Sequence, residues 1–297
     1  MKPIYVSSSA CALPASPAAL LADWEGRCRG AEVTGLCLDP RLDHELQHEV
    51  LALCRSDVAC LEIGHPVPGR PAASAISEDR DERSTARREL VASGRRAHEF
   101  GVGRVVVLPW LLPGLTPAPA RLAERFQRSL DPGIAALEDA RAALARPALD
   151  ACCLTLDPTL RELDGLDVQL VLLRPTPWPH QFPDADELSR LARVFDGAPL
   201  ASSLAVDWWH VGRHLDRAPG TPGGAPVVHV ADACGLSSGL PVGTGELDWD
   251  AVAPALESAE AAVLTYDAAL CATPREVATG VTLLGKLAPP APPAPPG

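Results

Sequence analysis

Lysine is nearly absent from this chain of 297 residues, because only Lys2 and Lys286 occur, one near each end. A mechanism that forms a Schiff base needs a buried lysine, so it is almost excluded, and the basic groups of any site must be arginine or histidine. The net charge of −12 excludes a second class of function. A nucleic-acid interface needs a field of positive charge, so we expect no nucleic-acid partner.

The cysteine pattern and the length of the apolar runs indicate the cellular compartment of the protein. The nine cysteines are an odd number, and no two of them form a Cys-x-x-Cys pair. This pattern is typical of reduced thiols in a cytosol, and it argues against a structural zinc site. No apolar run approaches the roughly 20 residues of a membrane span, and the first residues lack the apolar core of a signal peptide. We therefore predict a cytoplasmic protein that does not bind membranes.

Short apolar runs alternate with segments that have helical spacing, a pattern typical of a parallel sheet with crossover helices. The pattern predicts an α/β fold, a single (β/α)8 barrel over residues 1–287, followed by a disordered Pro-rich tail at 288–297. The stretch Ala148–Leu166 is the least regular, and it fits either a ninth short strand or an irregular turn. The eight predicted strands are Ile4–Ser8, Ala31–Leu36, Val58–Ile63, Arg104–Pro109, Val168–Leu173, Leu204–Trp208, Val227–Ala231 and Ala262–Tyr266.

Polar residues follow the last three predicted strands, where a barrel of this kind carries its active site. They are an Asp-x-x-His pair (Asp207 and His210), a His-x-x-Asp pair (His229 and Asp232) and Asp267. A Gly-Thr-Gly-Glu-Leu-Asp-Trp turn at 243–249 lies between the last two strands. These three features, in this order, resemble the xylose-isomerase-like TIM-barrel superfamily of sugar isomerases, sugar epimerases and apurinic endonucleases.

The resemblance implies roles for these residues. Asp207, His229 and Asp267 would hold a divalent metal ion (Mn, Mg, Co or Zn), which polarises a carbonyl or hydroxyl of the substrate while carboxylates move protons. His210 would orient the substrate, and His210, Asp267 and Glu246 are the predicted catalytic residues. A purely structural interpretation is also open. Asp207 would suit the N-cap of a helix, and His229 with Asp232 would suit the end of a strand.

The fifth strand departs from the family, because Arg174 stands where the family has a glutamate and no acidic residue occurs from Val168 through His180. An arginine would repel a metal but bind a carboxylate through two hydrogen bonds, so the metal site is predicted to be degenerate and an anionic substrate is expected there. Trp110, Trp178 and Trp208 fall at predicted strand ends and are predicted to contact the substrate. His65 and Glu32 are further candidates, each with a structural alternative.

Two functions of different classes remain. The first is a sugar isomerase or epimerase-like enzyme that acts on a small polyhydroxylated or keto substrate with a divalent metal. The second is a barrel that has lost catalysis and serves as a binding or partner protein in a biosynthetic pathway. An apurinic endonuclease is disfavoured, because −12 is the wrong charge for DNA. The partner is expected to be a small molecule, and the sequence leaves open whether the chain forms a homo-oligomer.

Overall fold

Eight parallel strands close into a barrel, as the sequence predicts. The computed structural model describes residues 2–11, 16–40, 42–54, 58–65, 74–112, 115, 132–174, 181–214, 225–267 and 272–287. The predicted tail at 288–297 and Trp178 lie outside these ranges. Each barrel strand pairs with its sequence neighbours, and the first pairs with the last. The strands are β1 (Ile4–Ser7), β2 (Gly35–Leu38), β3 (Ala59–Gly64), β4 (Arg104–Val107), β5 (Gln169–Leu173), β6 (Leu200–Ala205), β7 (Val227–Val230) and β8 (Ala261–Leu264).

Helices surround the barrel, and several begin at an aspartate. Asp43, Asp184 and Asp248 each accept a backbone N–H bond in the first turn of a helix, which satisfies a donor that would otherwise lack a partner. Within the described ranges, no helix is both long enough and apolar enough to cross a membrane. The helices are α1 (Pro17–Cys28), α2 (His44–Leu53), α3 (Arg80–Glu99), α4 (Pro132–Asp164), α5 (Ala185–Val194), α6 (Val206–His214), α7 (Trp249–Ser258) and α8 (Pro274–Leu287).

The main core lies between the strands and the helices, and smaller apolar clusters fill the barrel itself. One interior cluster contains Val106, Val171, Leu173 and Ala205, and another contains Cys37, Val227 and Val263. Strands that are buried on both faces read as continuous apolar runs, which is why the eight runs were recognisable in the sequence. The filled interior leaves the carboxyl ends of the strands as the place for a site.

Two short antiparallel ribbons lie outside the barrel strands. Trp110–Leu111 pairs with Gln181–Phe182, and Asp232–Cys234 pairs with Ser237–Leu240. The second ribbon follows β7 directly, so it lies at the carboxyl end of the barrel. It is named the β7 ribbon below.

Three boundary predictions differ most from the structure. In the stretch Ala148–Leu166, predicted as a ninth strand or an irregular turn, the residues up to Asp164 belong to α4, whose buried residues recur at helical spacing although Pro147 and Pro158 lie inside it. The second strand begins at Gly35, so Glu32 precedes it and is exposed. The sixth strand ends at Ala205 and not at Trp208. The prediction was too long because the run of apolar residues continues into α6. Tertiary packing decides such boundaries, since a short apolar run suits a strand or a helix equally well.

Candidate functional site

A cavity of about 310 Å³ opens at the carboxyl ends of the barrel strands. Among the residues predicted for the site, Asp207, Trp208, His229 and Asp267 line it. The described lining carries four carboxyl groups and one histidine, with no arginine or lysine. Its lining residues are Ser7, Ser9, Cys37, Leu38, Asp39, Pro40, Glu62, Val106, Leu108, Leu173, Ala205, Asp207, Trp208, His229, Ser238, Gly239, Val263, Thr265, Tyr266 and Asp267.

Asp207 is a buried carboxyl group at the start of α6, immediately after β6. Its Oδ2 accepts the N–H of Gly239 at 3.0 Å, and only 4% of the residue is exposed. Burial raises its pKa from 3.8 to about 6, although backbone N–H groups and the charge of His229 favour the ionised form. A carboxyl group that titrates close to neutral pH can both accept and return a proton, which is what general acid–base catalysis requires.

His229 lies on β7 and meets a residue that the sequence did not single out, Glu62 on β3. The two strands are four apart in a ring of eight, so the contact crosses the inside of the barrel. The distance from His229 Nε2 to Glu62 Oε1 is 3.1 Å, and both residues are buried. The angles do not make this contact a hydrogen bond, because His229 Nε2 has no hydrogen-bond partner among the described residues. It is an electrostatic contact between a carboxylate and an imidazole.

A β-bulge explains why Glu62 faces inward. Leu36 pairs with Cys60 and the next residue, Cys37, pairs with Glu62, so Leu61 is the extra residue of β3. Leu61 packs against the interior cluster around Cys37, and Glu62 lines the cavity. Two consecutive side chains therefore face the same interior, against the alternation of a regular strand. The only signal in the sequence is an acidic residue inside the apolar run Cys60–Ile63.

The β7 ribbon connects the two candidate carboxylates through one glycine. The Gly239 N–H donates to Asp207, and the Gly239 carbonyl accepts the N–H of Asp267 at 2.8 Å. Gly239 has a φ of +76°, and a Cβ there would lie 2.9 Å from the Cβ of Asp267. Only glycine suits both requirements. Gly239 of the ribbon therefore contacts both Asp207 and Asp267, and all three residues line the cavity.

Asp232 has a structural role, and it is not among the described residues that line the cavity. Its two carboxylate oxygens accept the N–H groups of Ala233, Gly243 and Leu247 at 2.8 to 3.2 Å. A Cβ at Gly245 would lie 2.5 Å from Asp232 Oδ1, so the second glycine of the turn permits this close packing. The Gly-x-Gly motif therefore shapes the turn, and Asp232 is not among the described lining residues of the cavity.

His210 and Glu246 face one another outside the described lining of the cavity. His210 lies one helical turn after Asp207, and its Nε2 is 3.6 Å from Glu246 Oε1. The same carboxylate oxygen accepts the N–H of Gly235 in the β7 ribbon at 2.5 Å. His210 is buried, whereas the Glu246 side chain is about half exposed. In this arrangement the pair joins α6 to the ribbon, and its predicted catalytic role stays a prediction.

Three other predicted residues, Arg174, Trp110 and His65, are not among the described lining residues of the cavity. Arg174 follows β5 and continues its pairing with β6 through an N–H bond to the Ser203 carbonyl, and burial lowers the pKa of its guanidinium. Trp110 lies in the short ribbon with Phe182 and packs against the main core. His65 Nδ1 is 2.9 Å from Ser93 Oγ of α3, and burial lowers the pKa of His65 to about 4.

The residues do not assemble the metal site that the resemblance implies. Asp207, His229 and Asp267 line one cavity, yet within the described ranges no group of three or more His, Cys, Asp or Glu side chains is placed to hold a metal ion. Of the three implied ligands, Asp207 accepts a backbone N–H through Oδ2, and His229 Nε2 lies 3.1 Å from Glu62 Oε1. The fifth strand supplies no carboxylate, since Arg174 takes that place.

Comparisons with known proteins agree with the fold. No family model matches the chain, and no curated protein matches it by sequence. Among solved structures, a D-tagatose 3-epimerase-like protein is 13% identical with a TM-score of 0.64, covering 97% of both chains. The 3-keto-D-glucoside 4-epimerase of E. coli is 12% identical with a TM-score of 0.64, covering 96% of this chain and 100% of that one. A Thermus thermophilus protein soaked with zinc chloride is 18% identical with a TM-score of 0.57, covering 96% and 97%.

Proposed function

The chain has the fold of the xylose-isomerase-like TIM-barrel superfamily, and from this premise we propose that it is an isomerase or epimerase of small polyhydroxylated ketones. The observation that carries the proposal is that two carboxyl groups, Asp207 and Asp267, line one cavity at the carboxyl ends of the strands; burial, which raises the pKa of Asp207 to about 6, supports it. Sugar isomerisation and epimerisation both remove a proton from a carbon next to a carbonyl group. A carboxylate that titrates near neutral pH is suited to that step.

The step balances with groups that the cavity contains. The Asp207 carboxylate accepts the proton from the carbon, the electron pair of the C–H bond forms a C=C bond, and the π pair of the carbonyl moves onto its oxygen to give an enediolate. To give an isomer, Asp207 returns the proton to the former carbonyl carbon, while the proton of the neighbouring hydroxyl passes to the former carbonyl oxygen and the neighbouring carbon becomes the carbonyl. Alternatively, a protonated Asp267 delivers a proton to the other face of the original carbon, the carbonyl re-forms to give an epimer, and water carries the proton from Asp207 to Asp267. Asp267 is the candidate for this part, because it is a second carboxyl group in the lining of the same cavity.

Hydrogen exchange tests the proposal. The full chain is incubated in heavy water with D-allulose, D-tagatose and L-ribulose, and proton NMR follows deuterium at the carbons next to the carbonyl. We expect deuterium uptake and the appearance of an isomer or epimer. Asp207→Asn should lower the rate by about 10²–10⁴-fold, the usual contribution of a general base. Asp250→Asn, which makes the same change at an exposed position of α7, is the control. Full exchange by Asp207→Asn would refute the assignment of the base.

A binding barrel without catalysis is the second candidate. The observation that favours it is the missing set of metal ligands in the described part of the chain. The same experiment separates the two candidates, because a binding protein would shift the ligand signals without deuterium uptake in any of the three sugars. The small-molecule partner is common to both proposals.

A further inference from the structure

Three buried polar atoms of cavity-lining residues have no hydrogen-bond partner within the part of the chain that the structure describes: Glu62 Oε2, His229 Nε2 and the hydroxyl of Tyr266. Glu62 and His229 contact one another, and these two residues are only 2% and 7% exposed. A buried polar group without a partner costs about 1–3 kcal/mol, and a charged group costs more. Native proteins seldom keep such atoms unless a ligand or water satisfies them. Glu62 and His229 both line the cavity, so the missing partner would enter from there.

The chemistry of Glu62 Oε2 and His229 Nε2 defines that partner. An ionised carboxylate only accepts hydrogen bonds, whereas His229 Nε2 donates one in the tautomer that carries its proton there. A hydroxyl group is both donor and acceptor. One hydroxyl can therefore donate to Glu62 Oε2 and accept from His229 Nε2, and the 3.1 Å between His229 Nε2 and Glu62 Oε1 places donor and acceptor side by side. An ionised carboxylate of a ligand cannot donate, and an anionic ligand would be repelled by Glu62.

We propose that Glu62 and His229 form a hydroxyl-binding subsite on the inner wall of the cavity, which selects neutral polyhydroxylated substrates over anionic ones. The inference rests on the proposed function, since it assigns the substrate class of the same site. Glu62 reaches the cavity from β3, whereas Asp207 follows β6, next to β7. A hydroxyl held between Glu62 and His229 fixes one end of the substrate in the cavity that Asp207 also lines. This replaces the expectation that Arg174 binds an anionic group.

The test uses ligands that differ in charge and cannot react at a carbonyl. Allitol, a neutral sugar alcohol, and D-allonate, which carries a carboxylate, are titrated into the full chain by calorimetry. We expect allitol to bind and D-allonate to bind more weakly. Glu62→Gln should weaken allitol binding by about 10- to 100-fold, because a hydrogen bond to a charged group is lost, and it should reduce the discrimination against D-allonate. The control is Glu49→Gln, the same change at an exposed residue of α2.

A second variant covers the case in which Glu62→Gln does not fold. Glu62→Asp keeps the charge but withdraws it by one methylene group, and it should weaken allitol binding in the same direction. No binding of allitol to the wild-type chain, or equal binding by wild type and both Glu62 variants, overturns the subsite. One equivalent of tightly bound metal that is lost in Glu62→Gln would also overturn it, because Glu62 would then be a metal ligand.

The outcome is separable from that of the proposed function. If D-allulose exchanges its protons in heavy water while allitol binding does not depend on Glu62, the subsite is wrong and the isomerase or epimerase assignment stands. If allitol binding depends on Glu62 but no sugar exchanges a proton, the subsite stands and the enzymatic proposal is wrong.

Discussion

Asp207→Asn should stabilise the protein at neutral pH, although it removes the proposed base. The pKa of Asp207 rises from 3.8 to about 6 because the carboxyl group is buried. A rise of about two pKa units, at about 1.4 kcal/mol each, means that keeping the group ionised in the folded state costs about 3 kcal/mol. Asparagine carries no charge to bury, and its side-chain oxygen can still accept the Gly239 N–H bond. The variant should therefore gain about 3 kcal/mol in unfolding free energy near neutral pH.

The pH dependence tests the cause of this gain. Because the folded-state pKa is the higher one, the contribution of Asp207 to stability is fully present below the unfolded value and is lost as pH rises through about 6. The two proteins should therefore have equal unfolding free energies below about pH 4. Between about pH 4 and 7 the unfolding free energy of the variant should become the larger one. Urea unfolding at several pH values measures the difference, with Asp250→Asn as the control. A difference that does not change with pH would refute the reasoning.

Three further predictions concern Gly239 in the β7 ribbon, Asp232 beside the turn that follows it, and the metal content. Gly239→Ala should lower the unfolding free energy by about 1–3 kcal/mol, because alanine is strained at positive φ; an unchanged urea midpoint would contradict it. Asp232→Ala should cost about 3 kcal/mol or more, since three backbone N–H groups lose their acceptor, and Asp232→Asn should cost less. Elemental analysis of protein purified without chelator should find far less than one equivalent of divalent metal, and a full equivalent that Asp207→Ala removes would refute our account of the ligands.

The architecture could be predicted because it follows from burial. Strands covered on both faces have to be continuously apolar, and eight such runs alternate with helical spacing along the chain. The errors fall where one pattern continues into the next. Ala205 ends β6, yet the apolar residues Val206, Trp208 and Trp209 belong to the helix that follows. No local feature of that run distinguishes the last residue of the strand from the first residue of the helix, so packing against the barrel decides it.

The site residues that lie at strand ends could be predicted from the sequence. The roles of the residues in the ribbon and turn were harder to predict. Asp207, His229 and Asp267 line one cavity because the carboxyl ends of parallel strands meet at one face of the barrel. The sequence places Asp232 among the polar residues at strand ends, but its observed contacts, in the β7 ribbon and the turn after it, are structural. Asp232 holds that turn through three backbone bonds, and the sequence could not distinguish such a role from metal binding, because both need a carboxylate at this position.

Glu62 and Arg174 show the limit of the inference from sequence. Arg174 was noticed because it departs from a motif, but a side chain just beyond a strand end can turn away from the barrel, and this one does not line the described cavity. Glu62 was missed because strict alternation makes it the neighbour of an inward residue, Leu61, and so an outward one. The bulge between β2 and β3 reverses that direction. Since a bulge depends on how two strands pair, no reading of one strand could place this carboxylate opposite His229.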